Sequence, residues 1–172
     1  IGTGSLTKTG SGTLNLTAEN SYSGATTISD GTLRVSDSAA LGTSSTVDLD
    51  GGTFRFSVTT SDEGSSVVLG GSGGTLEVDS GSTATFAGII SGTGSLTKTG
   101  SGTVVLSGSN TYEGSTAVNA GTFTVSGSLA DTTAVTVASG ATYELGADDA
   151  IGSLAGAGNV DLTSYTLTAG GD

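Results

Sequence analysis

Four basic and sixteen acidic side chains, with no His and no Cys, bound the chemistry open to this 172-residue chain. Without His there is no Ser-His-Asp or Cys-His machinery, and without Cys no thiolate metal site. Carboxylates remain. The pairs to weigh for acid–base work on a polysaccharide are Asp48 with Asp50, Asp62 with Glu63, and Asp148 with Asp149. Asp48 and Asp50 stand at i and i+2, so one strand face could carry both, as glycosidic chemistry asks of its acids. Alternation, however, turns Val47 and Leu49 inward and leaves those acids in solvent. Adjacent acids in loops are ordinarily solvated too. No catalytic residue and no cofactor is assigned.

Metal chemistry fares similarly. A calcium-binding β-roll needs tandem Gly-Gly-x-Gly-x-Asp units. Gly70-Gly71-Ser72-Gly73-Gly74 places Thr75 where Asp is required, and the run does not recur. It reads as a flexible corner, with Asp79 the nearest acid for weak cation binding, and no metal site is assigned. The Gly-x-Gly of residues 2–4 precedes a strand pattern, so it is no nucleotide loop.

The elements that position side chains are short and repeated. A Gly-Thr-apolar-x-apolar motif starts at residues 12, 31, 52, 74, 102 and 121, with a variant at 141 and a degenerate copy at 84–86. The alternation within it is that of a strand, with Leu14 and Leu16, Leu33 and Val35, Phe54 and Phe56, or Leu76 and Val78 facing inward. Further short strands are expected at 5–7, 26–28, 46–49, 67–69, 135–137, 159–162 and 165–167, punctuated by Gly, Ser, Asp and Asn. Starts spaced 19 to 28 residues apart fit a parallel β-helix of roughly eight coils of about 20 residues, in which like strands stack. A sandwich has no reason to keep one motif at one spacing. Asp30-Gly31 and Asp50-Gly51 immediately precede Gly-Thr strands and read as corners between coils. At ~4.8 Å per coil the rod is about 40 Å long, with open strand edges at both ends through which copies could associate head to tail.

Stacking gives the outward middle position of the motif a meaning. It holds Asn15, Arg34, Arg55, Glu77, Val105, Thr124 and Glu144. Coils stacked in order align Arg34, Arg55 and Glu77 ~4.8 Å apart. This trio is the candidate partner-binding site, a contact for an acidic glycan or protein, set against the plainer reading of a weak surface ion network. Thr13, Thr32, Thr53, Thr75, Thr103 and Thr122 could also align, as in ice-binding solenoids, although the irregular spacing opposes a flat array. Lys8 and Lys98 share the inward parity of Leu6 and Leu96. The chain is expected to turn there, the stem covering the core end and the ammonium reaching solvent. Asn20 and Asn110 are expected to support corners by bonding backbone.

Above the motif lies a longer repeat. Residues 2–13 and 92–103 both read GTGSLTKTGSGT, and 20 of the 34 positions in 2–35 match 92–125. Asn20-Ser21-Tyr22-Ser23-Gly24 returns as Asn110-Thr111-Tyr112-Glu113-Gly114, and Gly31-Thr32-Leu33 as Gly121-Thr122-Phe123. Both units resemble the autotransporter-associated β-strand repeat, also called the passenger-associated transport repeat. Ile151-Gly152-Ser153-Leu154-Ala155-Gly156-Ala157-Gly158-Asn159 is similar to the short segment that often follows such repeats. The resemblance implies a right-handed parallel β-helix and one segment, 1–172, of a larger secreted passenger, with related units at 2–35, 92–125 and 151–172. It also implies display at a Gram-negative cell surface, anchored through an outer-membrane β-barrel, and a structural or adhesive role in folding and transport. The implied partners are flanking coils and that barrel, with a host surface protein, a glycan or a second copy as further candidates. A polysaccharide-acting β-helix enzyme or a glycan-binding module is the alternative. The absence of Cys suits export, since a periplasmic disulfide would hinder threading. The opening inside a repeat, with no starting Met, suggests an excised piece.

Composition agrees. Thirty-one Gly, no Pro and abundant Ser and Thr favour short strands and tight turns over helices. A net charge of −12 repels phosphate backbones, so nucleic acid is not an expected partner. On a low-charge, Ser/Thr-rich rod it maintains solubility.

Overall fold

The computed structural model describes residues 2–37, 39–43, 46–62 and 65–170, excepting the side chains of residues 61 and 62. The expected acid pair Asp62 and Glu63 therefore lies outside what is described. Among the described residues every regular element is a strand, and all strand pairings are parallel. The chain is a β-solenoid of about eight turns with three faces.

The first face runs through Leu6–Lys8, Thr26–Ile28, Thr46–Leu49, Ser66–Leu69 and Ile90–Gly92. Backbone bonds from Thr111 to Ile90, from Glu113 to Gly92 and from Asn110 to Ser128 carry it onward. It ends in Asp149–Ile151 paired with Leu167–Ala169. The second face has eight strands, one per coil: Thr13–Leu16, Thr32–Val35, Thr53–Phe56, Gly74–Val78, Leu96–Thr99, Thr116–Val118, Ala134–Val137 and Ser153–Gly156. The third runs Thr60–Asp62, Thr83–Phe86, Thr103–Leu106, Thr122–Val125, Thr142–Leu145 and Asn159–Asp161. Alternate residues point into the central core, where Leu33, Phe54, Leu76, Val104, Phe123 and Tyr143 are at most 1% exposed. Each such side chain contributes about 1.5–3 kcal/mol by leaving water.

Identical motifs do not all share one column. The Gly-Thr strands starting at 12, 31, 52 and 74 stack on the second face, through Thr13, Thr32, Thr53 and Thr75. Those starting at 102, 121 and 141 stack on the third, through Thr103, Thr122 and the variant's Thr142. The column at Thr75 continues instead with Thr97 of the Leu-Thr-Lys strand. The long gap before residue 102 thus holds a strand on each face, Thr83–Phe86, Ile90–Gly92 and Leu96–Thr99, of which Thr83–Phe86, the degenerate copy, pairs with Thr60–Asp62 and Thr103–Leu106. The threonines from Thr13 through Thr122 are accordingly split between two faces and form no single array, as the irregular spacing suggests.

The lysines depart from expectation. Lys8 is 6% exposed and Lys98 fully buried, each on the inward side of its strand. Lys98 aligns with Leu76 before it and Val118 after it. Its ammonium donates to the carbonyls of Thr99 (2.8 Å), Gly100 (2.8 Å) and Ala120 (3.1 Å). Lys8 donates to those of Thr9, Gly10 and Asp30. An ammonium has three donors, and the corner presents three acceptors. The group is therefore satisfied without reaching solvent, and the alternation need not break. The third carbonyl belongs to the next coil, so each lysine fastens one corner to its successor. Gly31 (φ 63°) and Gly121 (φ 69°) let the backbone pass over that ammonium in the left-handed region, where a side chain would strike both the lysine and corner carbonyls.

The asparagines bond backbone as expected. Asn20 donates to the carbonyls of Ala18 and Ala40, and Asn110 to those of Gly108 and Ser128. Neither has positive φ; Thr163 is the one non-glycine residue among those described that does. That residue, with the Tyr165 N–H bonded to the Leu162 carbonyl, turns the chain and moves the last strand to Leu167–Ala169 from the expected 165–167. The Gly70–Gly74 corner is not a loose one: Gly73 donates to the Gly70 carbonyl, Gly51 to that of Gly73, and Ser72 to the Asp50 carboxylate.

Candidate functional site

Strand register aligns Arg34 with Arg55 and Arg55 with Glu77 on the second face, as the repeat spacing predicts. Asn15 precedes them and Thr99 follows. The side chains do not simply stand in file. Arg55 reaches one oxygen of Asp79 from Nε at 3.0 Å and from Nη2 at 2.9 Å, and lies 3.6 Å from Glu77. Arg34 lies 4.0 Å from the other Asp79 oxygen. Asp79 is thus the hub of the network, joining two coils beyond its own. Alternation could have found it, because Glu77 and Asp79 at i and i+2 share the outward parity.

These side chains are 27–36% exposed. Each exposed pair contributes about 0.2–1 kcal/mol. The network lays two guanidiniums along an otherwise acidic rod, with Arg34 the more weakly held. Asp79, the acid nearest the glycine-rich corner, is engaged by arginine rather than standing free for a cation. The remaining outward motif positions, Val105, Thr124 and Glu144, align with one another on the third face and do not extend this file. There Thr124 donates to Glu144 at 2.8 Å.

The carboxylate pairs part company. Asp48 is half-exposed on its strand, while Asp50 is exposed and accepts the Ser72 N–H, which holds its carboxyl below the usual range. Asp148 is exposed and accepts the Thr166 N–H at 2.7 Å. Asp149 is not solvated as expected: it begins a strand, is 9% exposed, and accepts the Leu129 N–H with both oxygens, at 3.3 and 3.2 Å. Burial pushes its carboxyl up, against the pull of that bond and of the Ala150 N–H, and Asp131 adds to the rise. An open depression of about 490 Å³ beside it is lined by Asp148, Asp149, Ala150, Thr166 and Thr168.

A parallel β-solenoid whose arginines and acids join successive coils defines a repeat scaffold with a patterned side surface. The comparisons with known proteins say which kind. Residues 6–35 and 96–125 match the family model described as Passenger-associated-transport-repeat. The two units are passenger-associated-transport-repeats. The chain is 44% identical over 179 residues to a protein of Brucella suis biovar 1 (strain 1330) described as Adhesin BmaC autotransporter, a match spanning 95% of this chain. The chain covers 5% of that relative's length. No solved structure matches the chain.

Proposed function

We propose that residues 1–172 form one stalk segment of a larger adhesive passenger, with building units at 2–35 and 92–125 and a related unit at 151–172. The segment folds coil upon coil during transport across the outer membrane and displays its side surface at the cell surface. Its work is mechanical, and no catalysis is assigned to it. The observation that supports this reading is the pairing pattern. Successive coils bond to one another through parallel strands, and buried lysines together with Asn20 and Asn110 fasten successive corners. Such a chain can be completed one coil at a time, each new coil using the last as its template. The name of the Brucella relative favours adhesion over a polysaccharide-acting enzyme.

On this reading the partners are flanking coils, the outer-membrane barrel of the same protein, and a host surface protein or glycan. We place the contact at Arg34, Arg55 and Glu77, where cationic groups interrupt the acidic surface. The test is deletion of residues 96–125 from the full-length gene, followed by measurement of passenger at the cell surface by antibody and of host-cell binding. Surface passenger should fall severalfold. Arg34→Glu with Arg55→Glu should reduce binding while leaving surface passenger unchanged. Unchanged display after the deletion would remove the folding and transport role. Cleavage of any polysaccharide by the purified chain would remove the mechanical one.

A further inference from the structure

Asp149 occupies the place in its coil that Asn110 occupies two coils earlier. The Ile90 N–H bonds to the Asn110 side-chain oxygen at 3.0 Å, and the Leu129 N–H bonds to the Asp149 carboxylate. In both cases a side-chain oxygen accepts the N–H of the residue 20 positions earlier. The backbone N–H groups also correspond: Asn110 donates to Ser128, and Asp149 to Thr166. The two side chains differ in what else they can do. The amide of Asn110 donates to the carbonyls of Gly108 and Ser128. By register, Ala147 and Thr166 supply the corresponding carbonyls around Asp149. An ionised carboxylate has no proton to give them.

We propose that Asp149 is a pH-responsive fastener of the last coil: on protonation it becomes an acceptor and donor like Asn110, and the coil tightens. The groups facing it all favour this. Asp131 in the preceding coil and Asp148 beside it are negative, and the buried phenols of Tyr112 and Tyr143 are neutral and feel its charge. No lysine or arginine is among the groups acting on it. Its folded pKa lies above the unfolded value, so the folded state holds the extra proton between the two. The added stability is full below the ordinary carboxylate range and is lost as pH rises through the folded pKa.

Hydrogen exchange of the 172-residue chain, corrected for intrinsic rates, reads this coil directly. Protection of residues 149–151 and 167–169 should rise on going from pH 7.5 down to the ordinary carboxylate range, about pH 4, by up to about tenfold per pH unit, the limit for one proton. Asp149→Asn should raise protection at pH 7.5 to at least the wild-type level at the acid end of that range and flatten its pH dependence. Asn110→Asp should bring the same dependence to residues 110–113. If that second variant does not fold, Asp149→Asn decides alone. Wild-type protection that is flat or falls on acidification, or a loss of protection in Asp149→Asn at pH 7.5, overturns the proposal.

Discussion

Residues 2–13 and 92–103 have one sequence and two environments. In the first copy the Leu-Thr-Lys strand lies on the first face and the Gly-Thr strand on the second. In the second copy they lie on the second and third faces. The offset of the repeat is therefore not a whole number of coils. The register runs from Leu6 through Thr26, Val47 and Val67 to Ile90, four coils on, and Leu96 begins the following face. The unit has been reset by one face, yet its lysine, asparagine and tyrosine keep their bonds. The motif thus specifies a corner and its fastening to the next coil, and is indifferent to which face carries it. Surroundings differ in depth instead. Lys98, Asn110 and Tyr112 are 0–2% exposed between coils on both sides, whereas Leu6, Leu14 and Leu16 around the first copy are only partly buried.

The largest expected contrast is at the lysines. Lys98→Ala leaves three corner carbonyls unpaired and a void between Leu76 and Val118, and should destabilise the chain by about 3–5 kcal/mol. Lys8→Ala removes the same bonds beside a less enclosed core, so water can replace them, at about 1–2 kcal/mol. Urea unfolding of the two variants measures this. Equal losses would show that the depth of the coil does not matter.

Alkaline titration isolates the deeper copy. Burial lowers the Lys98 ammonium to about 8, against a smaller opposing pull from Glu77. The unfolded chain then binds more protons between about pH 8 and 10, and stability rises with pH across that window, by at most about 3 kcal/mol. Above about pH 10 the trend reverses, because burial raises the Tyr112 and Tyr143 phenols and the unfolded chain loses protons first. Thermal unfolding from pH 7 to 11 should show this maximum. Lys98→Met should abolish the rise, and Lys8→Met should leave it in place.

Asparagine gives a smaller contrast. Asn110 accepts one bond and donates two, all at a buried position. Its replacement by Ala should cost about 2–3 kcal/mol, against about 1 kcal/mol for Asn20, which makes two donor bonds near solvent. Circular dichroism melts suffice to rank them.

How far the sequence alone reveals this differs by feature. The stacking of Arg34, Arg55 and Glu77 was legible, because period and alternation together fix register. Asp79 was legible in parity but missed, since it falls one residue beyond the motif. The burial of Lys98 was not legible from residue type, because it depends on carbonyls from two coils converging on one point. The shift of the Gly-Thr strands from the second face to the third was hidden for a related reason. A gap of 28 residues reads equally as a long corner or as an added strand, and Thr83–Phe86 settles it only once its pairing with Thr103–Leu106 is seen.

The finest contrast is at the tyrosines, two residues beyond each asparagine. Tyr112 shares a hydrogen bond with the Thr116 hydroxyl in a fully enclosed site. Tyr22 shares one with Thr26 at 2.9 Å, but half-buried. Removing the phenol oxygen leaves the threonine hydroxyl as the orphan. Within the core that hydroxyl has no water to turn to, so Tyr112→Phe should lose about 1–1.5 kcal/mol. Thr26 is itself fully buried, but Tyr22 is only half-buried, so water entering past its ring can take the place of the phenol oxygen, and Tyr22→Phe should lose about 0.5 kcal/mol or less. The double variants with Thr116→Val and Thr26→Val separate the bond from the orphan. Replacing both partners should recover much of the loss at Tyr112 and little at Tyr22, where there is little to recover. Recovery of the same size at both sites would mean that the two copies are equally enclosed in solution, and that the difference between them lies in face alone.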